Sequence, residues 1–263
     1  DIFFTILEKG KHLITEMSAY FEGERYLNTG GADDFFIITD VLVDKNNGFY
    51  EVSNVKTASE SHSAPFKGEI EKKYLLPLIK DHTKKNKKIE IDGFDAYCLV
   101  LNQDSSALKK EKVYAYIKWG EKQGYNNRSV TKTQKPWYKP TKQMLHGSRI
   151  LMPRSFNDTY VIYYNPHEYL SLRFYRLHLT KGNAEEWIAL LNSSYMFFVL
   201  ETLGNMSLGQ GVLDFFMEDF LKLKIPIVLD SSLKDAFKKL KNRPINNIFS
   251  ESGINPNRPI REQ

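Results

Sequence analysis

Apolar residues at Phe3, Ile6, Leu7, Leu13, Ile14 and Met17 recur at roughly helical spacing, which predicts a helix over 3–21. Gly30-Gly31 then break the chain, and residues 34–39 (Asp-Phe-Phe-Ile-Ile-Thr) read as a short apolar strand. Residues 48–52 read as a second strand after an Asn46-Asn47-Gly48 turn, and 57–68 as loop. Residues 74–79 are apolar around Pro77, which argues against a helix interior there. Five residues, Lys84-Lys85-Asn86-Lys87-Lys88, form a basic tip ahead of a strand over 96–102. Residues 109–120 predict a helix with Val113, Tyr116 and Ile117 on one face; 149–152, 160–164 and 172–179 read as further strands. Asn183, with Glu186 three positions on, marks the N-cap of a helix that Gly204 would stop. An apolar segment over 212–220 leads into 224–228, and 232–241 predicts a last helix with Leu233, Ala236, Phe237 and Leu240 on one stripe. From Arg243 the chain is rich in Pro, Asn and Ser and reads as an extended tail.

This order of elements predicts an α+β protein with a mixed, sheet-containing lobe over 22–180 and a helical C-terminal lobe over 181–242, followed by a tail over 243–263. The amphipathic stretch starts directly at Asp1, so residues 1–21 are expected to be a linking helix in a fragment excised from a longer chain. The longest apolar run, over 187–203, is interrupted by Asn192, Ser193 and Ser194, so no membrane span is expected. Cys98 is the sole cysteine and sits in the apolar run Tyr97-Cys98-Leu99-Val100. It excludes a disulfide framework or a multi-cysteine zinc site within the chain, and points to a reducing, cytoplasmic setting.

Several chemistries lack their residues. Residues 204–211 (Gly-Asn-Met-Ser-Leu-Gly-Gln-Gly) lack the lysine with which a P-loop reaches phosphate. No His-Glu-x-x-His and no strand-linked Gly-x-Gly-x-x-Gly occurs. Asn165-Pro166-His167 and Asn255-Pro256-Asn257 both fail the Asn/Asp-Pro-Pro-aromatic pattern that holds a flipped adenine. A magnesium-dependent nuclease using Asp92, Asp95 or Glu71 is the leading enzymatic alternative.

The net charge of +5 is unevenly spread. Residues 109–142 hold ten Lys and Arg against two Glu, so this one window exceeds the whole-chain charge and the remainder is slightly acidic. Tyr114, Tyr116, Trp119, Tyr125, Trp137 and Tyr138 are interleaved, and 120–133 is rich in Gly, Asn, Gln, Ser and Thr, which reads as an exposed loop. Basic groups position a duplex on its phosphates, while Arg, Lys, Asn and Gln also read base edges. A basic protein-interaction domain meeting an acidic partner remains the other reading.

The string Tyr116-Ile117-Lys118-Trp119-Gly120-Glu121, followed by Gly124, Arg128 and Lys135-Pro136-Trp137-Tyr138, resembles the C-terminal target-recognition region of N6-adenine DNA methyltransferases of the fused restriction–modification and phage-defence kinds. Residues 28–36 (Asn-Thr-Gly-Gly-Ala-Asp-Asp-Phe-Phe) are similar to that region's opening segment, and 74–79 (Tyr-Leu-Leu-Pro-Leu-Ile) to its Tyr-Leu-x-Pro element. Leu190-Leu191-Asn192-Ser193-Ser194, Gly209-Gln210-Gly211 and Ile225-Pro226 are similar to its closing part, in matching order over about 22–228. The resemblance implies a target-recognition fold that binds double-stranded DNA beside an upstream methyltransferase domain of the same polypeptide, which would bind S-adenosylmethionine and flip the adenine. This chain would then carry no catalytic residue, cofactor or metal. Composition, not a family motif, nominates the contacts: Asn126, Asn127, Arg128, Lys132 and Gln134 to read bases, and Lys118, Lys122, Lys135, Lys139, Arg149 and Arg154 to hold phosphates. Trp119, Trp137 and Tyr138 are expected to anchor the loop base, and Asn192 to serve helix packing or a turn.

Overall fold

The computed structural model describes residues 5, 8–43, 48–54, 65–85, 87–205, 212–227 and 232–253. The first half contains β1 (Ile14–Glu16), β2 (Phe21–Glu24), α1 (Asp33–Phe36), β3 (Ile37–Ile38), β4 (Val41–Val43), β5 (Phe49–Asn54), β6 (Phe66–Glu71), β7 (Leu75–Ile79), α2 (His82–Lys85), β8 (Ala96–Leu99), α3 (Ser105–Leu108) and α4 (Val113–Lys122). The second half contains β9 (Ile150–Pro153), β10 (Ser155–Phe156), β11 (Tyr163–Tyr164), β12 (Leu170–Ser171), β13 (Phe174–Leu179), α5 (Ala184–Leu191), α6 (Ser194–Leu203), β14 (Leu213–Asp214), α7 (Met217–Phe220), β15 (Lys224–Pro226), α8 (Ser232–Leu240) and α9 (Ile248–Ser252). The fold is α+β. Its larger sheets run in the orders β11-β9-β13-β2, β12-β7-β8-β3 and β4-β5-β6.

Two hydrophobic cores form around these sheets. One gathers Phe35, Phe36, Val52, Ile70, Leu75, Leu78, Cys98 and Leu99 against Val113, Tyr116 and Ile117 of α4. The other packs Ile150, Leu151, Met152, Tyr175 and Leu177 of β9 and β13 against Trp187, Ile188 and Leu191 of α5, Met196 and Val199 of α6, and Phe237 of α8. β9, β11 and β13 thus share a core with the helices after 183, whereas Leu170 of β12 joins the first core, and a division at 180/181 passes through the second core. Pro77 lies within β7 opposite Tyr97, and β12 joins β7 only at Leu78 and Ile79, beyond the residue that lacks an N–H.

Several segments differ from the sequence expectation. Within the expected helix over 3–21, residues 14–16 are β1 and 17–19 a single 3-10 turn, and Phe21 begins β2; residues 1–4 and 6–7 lie outside the described ones. β1 pairs with β15, Ile14 opposite Pro226, so a partner more than 200 residues away outweighs local apolar spacing. The apolar run at 34–39 splits into α1 and the two-residue β3, because Phe35 N and Phe36 N both donate to Ala32 O at 3.0 and 3.1 Å. A short apolar run does not distinguish helix from strand. Residues 66–68, read as loop, belong to β6, while 55–64 lie outside the described residues, as do Asn46-Asn47, Gly209-Gln210-Gly211 and Asn255-Pro256-Asn257. The helix over 183–204 is two helices. Asn183 accepts from Glu185 N at 2.8 Å, and the break falls at Asn192. The Asn192 amide accepts from Ile162 N (3.0 Å) and donates to Ile162 O (2.8 Å) and Ile188 O (2.9 Å), tying the end of α5 to the strand region beside it. Of the expected extended tail, residues 248–252 form α9, capped by Asn247 through Ser250 N; residues 254–263 lie outside the described ones.

The N-terminus of α4 is capped from a distance. Glu71, nearly buried at the end of β6, accepts from Lys112 N (2.6 Å) and Val113 N (3.1 Å), satisfying two of the orphan donors that every helix start leaves. Glu71→Gln keeps one acceptor oxygen and sets an amide NH₂ against the other donor. It is expected to lower stability by about 1–3 kcal/mol in urea unfolding, at an unchanged m value.

Candidate nucleic-acid interface

The basic window folds as a helix followed by a tightly braced loop. α4 buries Val113, Tyr116, Ile117 and Gly120 and leaves Lys118 and Lys122 exposed. The Tyr116 hydroxyl donates to Phe35 O at 2.8 Å and accepts from Asn54 Nδ2 at 2.8 Å, fixing the helix to α1 and β5. Gly120 lets the Phe35 and Trp137 rings lie against the helix: a Cβ there would sit 2.5 Å from one ring and 3.0 Å from the other. Gly120→Ala improves helix propensity by about 1 kcal/mol but forces those rings apart. The net result is expected to be a loss of about 1–3 kcal/mol, read as a lower urea midpoint.

Gly124 ends the helix in the left-handed conformation, φ 78°, and its N–H donates to Glu121 O at 3.0 Å. The chain then runs through 3-10 turns at Tyr125–Asn127 and Thr131–Thr133, with Gln123, Tyr125 and Thr131 buried. The segment read as an exposed loop over 120–133 is therefore a compact turn structure whose backbone packs on α4. Thr131 Oγ1 donates to Tyr125 O, and Ser129 Oγ donates to Gly30 O at 2.9 Å. Gly30, φ 63°, abuts Val130, where a Cβ would sit 2.2 Å from the valine side chain. The loop therefore docks on the Asn28–Gly31 turn, which Asn28 Oδ1 closes by accepting from Gly30 N at 2.9 Å.

Aromatic residues brace the far end of the loop. Trp119 stacks on Tyr116 with ring centroids 5.1 Å apart. The Trp137 indole N–H donates to Glu121 Oε1 (3.3 Å), and the Tyr138 hydroxyl donates to Gln103 O (3.2 Å). With its amide nitrogen turned toward the chain, Gln134 donates to Trp137 O at 3.2 Å and Lys139 O at 2.7 Å, so its side chain is engaged internally. Asn126 Oδ1 is buried and unpaired among the described residues, while the Asn127 side chain is exposed.

The cations fall into four groups. Lys122, Arg128, Lys132, Lys135 and Lys139 have no acidic partner among the described residues; all are exposed except Arg128, which is half-buried. Lys118 pairs with Glu121 at 2.7 Å on the helix surface. Arg154 is held bidentately by Asp214, at 3.2 and 3.1 Å, and Asp214 is itself buried. Beside Arg154 lies a cleft of about 470 Å³ lined by Tyr26, Asn28, Thr29, Gly31, Asp33 and Arg173. Arg173 is exposed, with no ion pair among the described residues. The 28–31 turn thus carries the Arg128 loop on one side and forms a wall of the Arg154–Arg173 cleft on the other. Arg149 stands apart. It pairs with Glu168 at 2.9 Å beside a different cavity of about 450 Å³, at the opposite end of β9 from Arg154. Along the strand that is a separation of about 16 Å at ~3.3 Å per residue. Sequence reasoning missed Arg173 because a lone arginine before a strand has no local signal; only the tertiary approach of the 28–31 turn gives it a place.

The carboxylates of the nuclease reading serve other ends. Glu71 caps α4, Asp95 accepts from Lys80 N and Asp81 N at 2.8 Å each, and Asp92 pairs with His82 at 3.0 Å. Asn165 of the failed Asn-Pro motif clasps its own turn, donating to Ser148 O and Tyr169 O at 2.9 Å each. Among the described residues, one group of three could hold a metal ion: Glu24, His146 and His178. No helix among the described residues is long and apolar enough to cross a membrane.

Residues 27–252 match the family model of the Type II methyltransferase M.Eco57I, C-terminal domain. The chain belongs to that family. The M.Eco57I C-terminal domain match includes α4, the braced loop, the 28–31 turn and both arginines of the cleft. Among solved structures, the type IIG restriction endonuclease BpuSI shares the fold, with a TM-score of 0.55 and 14% identity over 92% of this chain. This chain spans 28% of the length of that structure's chain. No curated protein matches. The domain is thus of the kind found at the C-terminus of the Type II methyltransferase M.Eco57I, with the α+β build read from the sequence.

Proposed function

We propose that this M.Eco57I-type C-terminal domain recognises the DNA target of its parent enzyme. The observation that carries the reading is the set of five cations without an acidic partner among the described residues, at the end of α4 and on the loop that docks against the turn bordering the arginine-lined cleft. A duplex laid along this face meets phosphate-neutralising groups at Lys122, Lys135, Lys139 and Arg173. It meets polar groups able to read base edges at Asn127, Arg128 and Lys132. Lys118, Arg149 and Arg154 act on phosphates only by sharing themselves with Glu121, Glu168 and Asp214; Gln134 serves the loop before the bases, and the Asn126 amide oxygen is buried. In this reading adenine-N6 methylation, and the S-adenosylmethionine it consumes, belong to the methyltransferase part of the parent. The present chain holds and positions the duplex in the cytoplasm of a cell defended against phage.

Fluorescence anisotropy of a labelled duplex across a salt series tests it. Each neutralised phosphate adds about 0.9 to the negative log–log slope of affinity against salt, so the four phosphate-neutralising groups predict a slope of about −3.6. Affinity that is flat with salt, or no binding at low salt, contradicts the reading. Magnesium-dependent cutting of that duplex by the chain alone would instead favour the nuclease.

A further inference from the structure

We propose that Glu24, His146 and His178 form a three-ligand site for a divalent transition metal of the zinc class, one that staples the 143–147 loop to the β2–β13 ribbon. The ribbon's register sets the two strand ligands. Glu24 of β2 lies opposite Arg176 of β13, and His178 follows two residues on, so it projects from the same face. His146 arrives from the loop ahead of β9. His178 Nε2 lies 3.1 Å and His146 Nε2 3.9 Å from the same oxygen, Glu24 Oε2, and the three ligand atoms all fall within 4.8 Å of one another. Tetrahedral zinc with bonds of 2.0–2.1 Å places its ligand atoms about 3.3 Å apart, between the two observed spacings. His146 is the more exposed ring, and a small swing of it closes the longer gap.

Two further features suit a metal. His146 Nδ1 faces Gly147 O at 3.4 Å; a proton on Nδ1 directs the Nε2 lone pair into the cluster, the arrangement by which a backbone carbonyl orients a metal-bound imidazole. The carboxylate is also held from behind. Arg176, fully buried, places Nη2 3.0 Å from Glu24 Oε2 and donates to Gln143 O (2.8 Å) and to His146 O, so one guanidinium fixes a ligand carboxylate and the backbone of a ligand histidine. A carboxylate has about four acceptor positions, enough for Arg176 and a metal together. Two imidazoles and one carboxylate favour zinc-class ions over magnesium or calcium, which prefer all-oxygen shells, and the exposed side by His146 leaves a fourth position for water. The loop also carries Met144 of the first core, whereas β13 belongs to the second, so the metal would tie the two cores together.

Calorimetric titration with zinc chloride and the visible spectrum with cobalt chloride test this, with thermal unfolding read in parallel. One equivalent is expected to bind, with tetrahedral cobalt bands and a metal-dependent rise in Tm. Magnesium chloride is expected to do neither. His146→Ala removes an exposed ring and keeps the Glu24–Arg176 pair, so it is expected to fold while losing affinity at least about tenfold; His178→Asn is expected to lose the cobalt bands as well. The chain has six histidines, so the variants decide the location. Absence of binding by the folded wild type, or binding by His146→Ala as tight as by wild type, would overturn the proposal and leave an internal hydrogen-bonded cluster.

Discussion

Replacing Lys122, Arg128, Lys132, Lys135 and Lys139 together with glutamine lowers affinity for duplex DNA by about a hundredfold or more, without lowering the Tm. Each of these side chains has no acidic partner among the described residues, so no ion pair is lost with it. Each neutralised phosphate releases a counterion, so the salt slope should flatten by about 0.9 per phosphate contact removed, or about 2.7 units for Lys122, Lys135 and Lys139. Lys118→Gln and Arg149→Gln serve as comparison. Their cations already pair with Glu121 and Glu168, and each change is expected to cost far less. A five-fold variant that binds as tightly as wild type would move the duplex to another face. Within the five, Arg128→Ala should reduce discrimination between duplexes, by about 1–3 kcal/mol against the wrong base at one position, whereas Lys139→Ala should weaken all duplexes alike.

The largest expected loss of stability follows Arg176→Met. Arg176 is fully buried, pairs with Glu24 and donates to the carbonyls of Gln143, His146 and Arg25. Burial lowers the guanidinium's pKa and the Glu24 carboxylate opposes that shift, so the charge is tolerated only because its partner is present. Methionine fills the volume but leaves Glu24 and three carbonyls without their donor. Breaking a buried pair from one side costs about 3–5 kcal/mol, which for a chain of this size corresponds to a Tm lower by about 6–20 °C. A scanning-calorimetry shift of a degree or two would show that water replaces the guanidinium. Replacing both members, Arg176→Met with Glu24→Met, should cost less than Arg176→Met alone, because only the three carbonyls and no carboxylate charge are then stranded.

The parts of the fold that were legible are those whose pattern is local. β5, β8, α4, α5 and α8 each carry an apolar run, an apolar period or a cap within their own residues, such as Asn183 ahead of α5 or the Leu233–Leu240 stripe. The parts that were not legible depend on distant partners. Ile14 becomes strand because residue 226 lies beside it, and the start of α4 is set by a glutamate 41 residues away. The site divides in the same way. Sequence shows where positive charge concentrates, and an i,i+3 pair such as Lys118–Glu121 is visible in it. It does not show that Asp214 holds Arg154 across 60 residues, that Arg149 faces another cavity, or that Arg173 joins the cleft. Nor does a run of Asn, Gln, Ser and Thr show whether its polar groups face outward. Here Thr131, Gln134 and Ser129 are spent on backbone carbonyls, which makes the loop a rigid platform with few free side chains.

Target recognition itself is tested most directly by selection. A library of duplexes with a randomised central segment is incubated with the chain at moderate salt, and the retained fraction is sequenced. A short recurring motif is expected among the retained duplexes, and Arg128→Ala should blur it at one or two positions while leaving the rest intact. Retention of all sequences alike, by wild type and variant, would contradict the assignment of sequence reading to this domain.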